Sequence, residues 1–286
     1  RMLRAVRFAA QLGFSIERET QEAIAGLAGN IKKVSAERIQ VELVKLLTSP
    51  NPGELKVAYR TGLTAVFLPE FDVMMETPQN NPHHCCSVGE HTLKAIEAVP
   101  ADKVLRLTML LHDIAKPACK TTDEKGVDHF YGHPVRGSEM ARGILRRLKF
   151  DNDTISKVSR LIKYHDDRPM PEMRSVRRAV NRIGEDLFPM YLEVQEADML
   201  AQSEYRREEK SARLKGVAEC YHKVVEEKQC VSLKTLAVTG RDLIQAGYKP
   251  GPELGEVLKE MLEHVLEEPS DNTKEKLMEF INKEKY

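Results

Sequence analysis

Six side chains able to ligate a metal ion recur along this sequence at wide, rather even intervals: His91, His112, Asp113, His133, His165 and Asp198. His112 follows His91 by 21 residues and precedes His133 by another 21, and the next two gaps are 32 and 33. His112 and Asp113 are set into the apolar run Leu105-Arg-Leu-Thr-Met-Leu-Leu-His-Asp-Ile-Ala-Lys-Pro117, which reads as a buried helix. Burying an imidazole and a carboxylate bare is costly, and a divalent cation satisfies both. For a lone pair, a structural His–Asp hydrogen bond near a helix end would serve as well. The recurrence of further ligands is what favours a metal.

The elements that must position these groups are helical. Of 286 residues 41% are hydrophobic and only 6% aromatic, with no Trp, a composition that favours an all-α fold over a sheet protein. Each candidate ligand lies in a helix-like context, so the expectation is one ligand per helix, converging inside a bundle. Neither a signal peptide nor a membrane-spanning stretch is recognisable, which implies a cytoplasmic protein with no membrane partner. Five cysteines, an odd number without zinc-ligand spacing, fit free thiols in a reducing compartment. Cys85-Cys86 beside His83-His84 has metal-like residue types, although adjacent residues seldom ligate one ion together.

The ordered set, with Lys116 three residues after Asp113, resembles the HD phosphohydrolase superfamily, whose pattern is H…HD…D. His91, His112, Asp113 and Asp198 fall on that core pattern, and His133 and His165 fall where branches with a second metal place theirs. The resemblance implies a metal-dependent phosphohydrolase acting on a nucleotide or cyclic phosphate. Its ion would be Mn2+, Fe2+, Ni2+, Zn2+ or Mg2+, its catalytic residues Asp113 and Lys116. The metal would lower the pKa of a bound water while Lys116 and nearby arginines offset phosphate charge.

A second resemblance lies at the start. Arg1-Met-Leu-Arg-Ala-Val-Arg-Phe-Ala-Ala-Gln-Leu-Gly-Phe-Ser-Ile16 and Ser35-Ala-Glu-Arg-Ile-Gln-Val-Glu-Leu43 are similar to the neck of class II tRNA nucleotidyltransferases, the bacterial CCA-adding enzymes and related poly(A) polymerases. Leu236-Ala-Val-Thr-Gly-Arg-Asp-Leu to Gly251-Pro-Glu-Leu-Gly resembles their C-terminal segment. The likeness implies that Arg1, Arg4, Arg7 and Arg38 serve nucleotide or tRNA binding, with tRNA as partner. Arg1 would be the last residue of an E-D-x-x-R motif, so Glu-Asp-X-X is expected to precede it in a longer protein. No Gly-rich turn followed by a D-x-D pair occurs in residues 1–286, so Mg2+-dependent addition from ATP or CTP is expected only with a catalytic head.

Together these imply a neck–body–tail portion of a CCA-adding enzyme, active in tRNA 3′-end maturation, with an HD phosphohydrolase activity. The alternatives are a stand-alone HD nucleotide phosphohydrolase and a non-catalytic tRNA-binding module; oligomeric state is open. The division expected is 1–76 neck, 77–205 HD-type metal-binding helical bundle and 206–286 helical tail. Residues 141–182 hold twelve Lys/Arg against five Asp/Glu, either a polyanion-binding face or ordinary solvated helix surfaces. Gly13 is expected to end the first helix, Thr20 to cap the second, Ser35 to cap a helix to Leu47, and residues 63–82 to form one short apolar element plus linker. Residues 121–132 read as a polar loop or short hairpin, with Phe130 and Tyr131 able to stack on a base. Asp166-Asp167 beside His165 could add a ligand or cap the helix.

Overall fold

The computed structural model describes residues 1–83 and 86–283, so His84 and Cys85 of the His/Cys quartet lie outside the described residues. Along the chain run α1 (Met2–Leu12), α2 (Arg18–Leu27), α3 (Ala36–Leu47), α4 (Leu55–Arg60), α5 (Thr64–Phe67), α6 (Pro69–Glu76), α7 (Val88–Ala98), α8 (Lys103–Leu111) and α9 (Lys116–Cys119). A small antiparallel hairpin follows, β1 (Thr121–Thr122) with β2 (Asp128–His129), Thr121 opposite His129. Then come α10 (His133–Arg147), α11 (Asn152–Tyr164), α12 (Met173–Ile183), α13 (Phe188–Ala201), α14 (Arg207–Glu226), α15 (Gly240–Gln245), α16 (Pro252–Glu267) and α17 (Lys274–Lys283). Helix accounts for 68% of the chain, and the fold is all-α as its composition implies. No helix among the described residues is long and apolar enough to cross a membrane.

The chain folds into two compact units, each assembled from two separate stretches. One comprises Arg1–Asp167 and Met190–Ser211; the other comprises Arg168–Pro189 and Ala212 onward. In the first unit, Leu43, Leu46 and Leu47 of α3, Phe71 and Met74 of α6, Ile96 of α7 and Leu107 of α8 are all fully buried. Side chains at the entry residues fix where the ligand-bearing helices begin. Ser87 accepts from the Glu90 amide at 3.2 Å before α7, Asp102 from the Val104 and Leu105 amides at 2.8 and 3.0 Å before α8, and Asp151 from the Thr154 amide at 2.8 Å before α11. Each such cap stabilises its helix by about 1 kcal/mol. In the second unit, Val176, Val180 and Ile183 of α12 and Met261 and Val265 of α16 are buried.

Gly13 ends α1 with φ 69°, and Ser35 occupies the N-cap position of α3. Three local expectations are corrected. Thr20 lies inside α2, because the turn closes earlier, at extended Glu17, where the Gln21 amide donates to the Glu17 carbonyl. Residues 63–76 form two short helices, not one element, since Leu68 leaves helical geometry and Pro69 starts the next helix. The run Leu105–Pro117 is likewise not one helix: α8 stops at Leu111, and residues 112–115 form a turn before α9.

Candidate metal centre and basic groove

His91 comes from α7, His112 and Asp113 from the turn closing α8, His133 from the first position of α10, His165 from the residue ending α11, and Asp198 from α13. All six belong to the first unit. The five residues from His91 to His165 form two triads that share Asp113: His91, His112, Asp113 and Asp113, His133, His165. Asp113 Oδ2 lies 3.6 Å from His91 Nε2 and 3.2 Å from His112 Nε2. Its Oδ1 lies 3.4 Å from His133 Nε2 and 3.7 Å from His165 Nε2. One carboxylate oxygen thus faces each histidine pair. Asp198 adds its Oδ1 to the first pair, 3.0 Å from His91 Nε2 and 3.7 Å from His112 Nε2.

A repeated local device aims three of the rings. His112, His133 and His165 each direct Nδ1 to the carbonyl three residues earlier, that of Met109, Phe130 and Ile162, at 2.7 Å in every case. The fourth ring, His91, has Nδ1 3.3 Å from the Ala201 carbonyl. A carbonyl can only accept, so Nδ1 carries a proton, and Nε2 is the ring atom whose lone pair a cation would take. Those atoms face each other: His91 and His112 Nε2 are 3.2 Å apart, as are His133 and His165 Nε2. Asp113 Oδ2, fully buried, has no hydrogen bond of acceptable geometry, although Lys116 Nζ stands 2.7 Å away as an ion pair. Opposed Nε2 atoms and an orphaned carboxylate oxygen fit a divalent cation, and imidazole with carboxylate suits Mn2+, Fe2+, Ni2+ or Zn2+.

The electrostatics agree. Burial would raise the Asp113 carboxyl, but His112 and Lys116 outweigh it and hold it well below the usual carboxylate range. Asp198 behaves alike, with His112 and His91 opposing its burial. Burial would lower the His112 imidazolium, yet the Asp113 and Asp198 carboxylates push it up to about 10, so the His112 ring holds a proton that a bound cation would displace. Two ionised carboxylates, Asp113 buried and Asp198 partly so, demand positive charge nearby.

Some supporting residues were not anticipated. Gln202 Nε2 donates to Asp198 Oδ2 at 2.8 Å, and Lys210 Nζ donates to Gln202 Oε1 at 2.7 Å. Gln195 donates to the His165 carbonyl. Gln195 and Gln202 stand three residues before and four after Asp198, a helical spacing that could have flagged them. Gly89 permits a close approach of α7 to α6, because a Cβ there would lie 2.7 Å from the Met75 backbone. Asp166 and Asp167 join neither triad. Tyr131 is exposed and stacked on His129, while Phe130 lies under Lys116 Nζ at 5.3 Å.

Arg1, Arg4 and Arg38 come together at a second feature, a groove of about 540 Å3 between α1 and α3, whose lining includes Leu3, Ile39, Val41 and Glu42. Arg7 turns away from it. Its Nε meets Glu42 Oε2 at 2.6 Å, another guanidinium nitrogen donates to Gln11, and the group sits 3.8 Å over the Phe8 ring. In the basic stretch 141–182 several cations are already engaged: Arg147 is bidentate to Glu70, both contacts 2.8 Å, and Arg174 and Arg178 pair with Glu267.

Comparison with known proteins places this chain in a family. Residues 135–281 match the family described as "tRNA nucleotidyltransferase domain 2 putative", and residues 13–75 match "Probable RNA and SrmB- binding site of polymerase A". The chain belongs to the tRNA nucleotidyltransferase family. It is 33% identical to the CC-adding tRNA nucleotidyltransferase of Thermus thermophilus, over 92% of this chain and 61% of that protein. It is 31% identical to the A-adding enzyme of Deinococcus radiodurans, over 92% of this chain and 63% of that protein. The chain thus spans about three-fifths of the length of these relatives. The crystal structure of the Bacillus stearothermophilus CCA-adding enzyme in complex with CTP shares its fold, with TM-score 0.61 and 20% identity over 99% of this chain and 62% of that one.

The expectation that the chain is chiefly an HD phosphohydrolase is thereby corrected. The relatives that match along most of it are transferases, not hydrolases. The physical reason is that a His/Asp cluster specifies an ion and not a reaction; chemistry depends on what is brought to the ion, and ligand spacing does not encode that.

Proposed function

We propose that this chain serves tRNA 3′-end maturation by binding tRNA and nucleotide, and that it holds a divalent metal in the buried His/Asp centre. The groove between α1 and α3 carries the first part. Three arginines, Arg1 at the N-cap of α1, Arg4 within α1 and Arg38 of α3, converge there beside apolar Leu3 and Val41, a combination suited to phosphate and a nucleobase together. On this reading residues 1–76 face nucleotide and tRNA, 77–205 form an HD-type metal-binding bundle, and 206–286 form a tRNA-contacting tail. Mg2+ would accompany ATP or CTP. His91, His112, Asp113, His133, His165 and Asp198 would hold the resident ion or ions, with Lys116 beside them. A bound ion would supply a fixed positive charge and a Lewis acid.

Two measurements test this. Filter binding of tRNA across a salt series should give a steep linear fall of log affinity with log salt, because phosphate contacts release counterions. Equal affinity for tRNA and an unrelated polyanion at physiological salt would defeat the tRNA assignment. Elemental analysis after reconstitution with Mn2+, Fe2+, Ni2+ and Zn2+ should find at least one ion per chain, lost in Asp113→Asn because both triads use that carboxylate. Uptake unchanged in Asp113→Asn would defeat the metal assignment.

A further inference from the structure

Next to the shared carboxylate lies a buried amide whose partner is missing. Gln79 and Lys116 are each 6% exposed. Lys116 Nζ donates to Gln79 Oε1 at 2.9 Å while standing 2.7 Å from Asp113 Oδ2. An ammonium has no acceptor, so Oε1 must be the arm that faces it, and Nε2 is the other arm. That Nε2 is buried and meets no acceptor among the described residues. Gln79 is not on a loose loop. The Asn80 amide donates to Asp128 Oδ2 at 2.8 Å, the Asp128 amide returns a bond to the Asn80 carbonyl at 2.9 Å, and Lys120 Nζ donates to the Pro78 carbonyl at 2.8 Å. The β1–β2 hairpin therefore clamps the residues on both sides of Gln79, and the unmet N–H2 is held in place.

The charge of the centre indicates what that donor awaits. Lys116 Nζ stands between Gln79 Oε1 and Asp113 Oδ2, so an ion held by the centre would place a second cationic group beside the same corner. Excess positive charge in a buried site calls for an anion. We propose that Gln79 Nε2 and Lys116 Nζ form an oxyanion-binding corner that takes a phosphate oxygen of the centre's ligand, with Gln79 setting its affinity. The corner depends on the cluster being a metal centre, as read above.

The experiment is calorimetric titration of the Mn2+-loaded full chain with inorganic phosphate, and separately with CMP, alongside Mn2+ stoichiometry and melting temperature. Gln79→Met keeps the bulk and removes the donor; phosphate affinity should fall about tenfold, the scale of one hydrogen bond to a charged group. Gln79→Glu keeps an acceptor for Lys116 but replaces N–H2 with oxygen, and phosphate binding should be lost with Mn2+ content unchanged. Rescue of wild-type affinity by either variant, or no phosphate binding by the Mn2+-loaded wild type, overturns the corner. Failure of the wild type to take up Mn2+ or any other ion overturns the metal centre beneath it. CMP binding tighter than phosphate with the same Gln79 dependence assigns the oxyanion to a nucleotide or RNA end; equal or weaker binding assigns it to free phosphate.

Discussion

Arg1, at the N-cap of α1, and Arg4, within it, lie exposed along a groove, whereas in α12 Arg174, Arg177 and Arg178 all end on the last turns of α16. Arg177 is the extreme case. It is buried, its Nε donates to the Leu266 carbonyl at 2.7 Å, and a terminal nitrogen donates to the Glu267 carbonyl at 3.0 Å. Those are carbonyls at the end of α16, where helix geometry supplies no amide donor. Arg178 reaches Glu267 Oε1 at 2.5 Å and Glu263 Oε2 at 3.7 Å. Within α1 itself, Arg7 shows the same fate, taken by Glu42. Cations on two helices thus differ in availability, because carboxylates and carbonyls from distant segments claim some and leave others.

The contrast can be broken from either side. The largest effect is expected for Arg177→Met, which strips donors from two buried carbonyls and should destabilise the second unit by about 3 kcal/mol in chemical denaturation. Affinity of the folded protein for tRNA should stay at the wild-type value; a joint loss would mean that Arg177 also serves binding. Arg4→Ala with Arg38→Ala should do the reverse. tRNA affinity should drop about tenfold at low salt and the salt slope should shrink by about one to two, with stability changed by less than about 0.5 kcal/mol. An unchanged slope would show that these arginines meet no phosphate.

Converting α12 into an open cationic face would sharpen the comparison further. Glu263→Gln with Glu267→Gln should release Arg174 and Arg178 and raise heparin affinity about threefold. It should cost under about 1 kcal/mol, since the arginines are exposed. No gain in heparin affinity would mean that the carboxylates are not what withholds them. The smallest effect concerns Lys120, engaged by Asp128 at 2.8 Å in the hairpin clamp. Burial would raise the Asp128 carboxyl, but Lys120, the Asn80 amide and Thr122 hold it at about 2, against an ordinary 3.8. A depressed carboxylate stabilises fully above its unfolded value, so the clamp should be intact above pH 4 and weaken as pH falls from about 4 toward 2. Proteolysis by pepsin within residues 121–130 should rise across that window, and a flat rate would reject the clamp.

Helices were legible where caps and glycines announced them, as at Gly13 and Ser35. The six candidate ligands were legible as types at intervals, and the structure gathers five of them into two triads that share Asp113, with Asp198 beside the first. What could not be read was direction. Whether His112 sits inside a helix or just past its end depends on its bond to the Met109 carbonyl, a choice that a run of leucines leaves open. Arg7 shows the same limit at longer range, since Glu42 lies 35 residues away and no helical period connects them. Gln79 carried no motif at all; only its fixed position against Lys116 makes it a candidate.

The two units are threaded through each other along the chain. Residues 168–189 leave the first unit for the second, and the chain returns at Met190 to bring in Asp198 before leaving again at Ala212. During synthesis, His91, His112 and Asp113 therefore emerge long before the Asp198 segment that completes their surroundings, 107 residues after His91. Likewise α12 must wait for α16 to receive Arg177. Neither unit can finish folding on the ribosome in the simple order in which its residues appear, so closure of the first is delayed until residue 211 is free and that of the second until α16 is free. A nascent chain halted between His165 and Asp198 would therefore carry both His/Asp triads before Asp198 joins them.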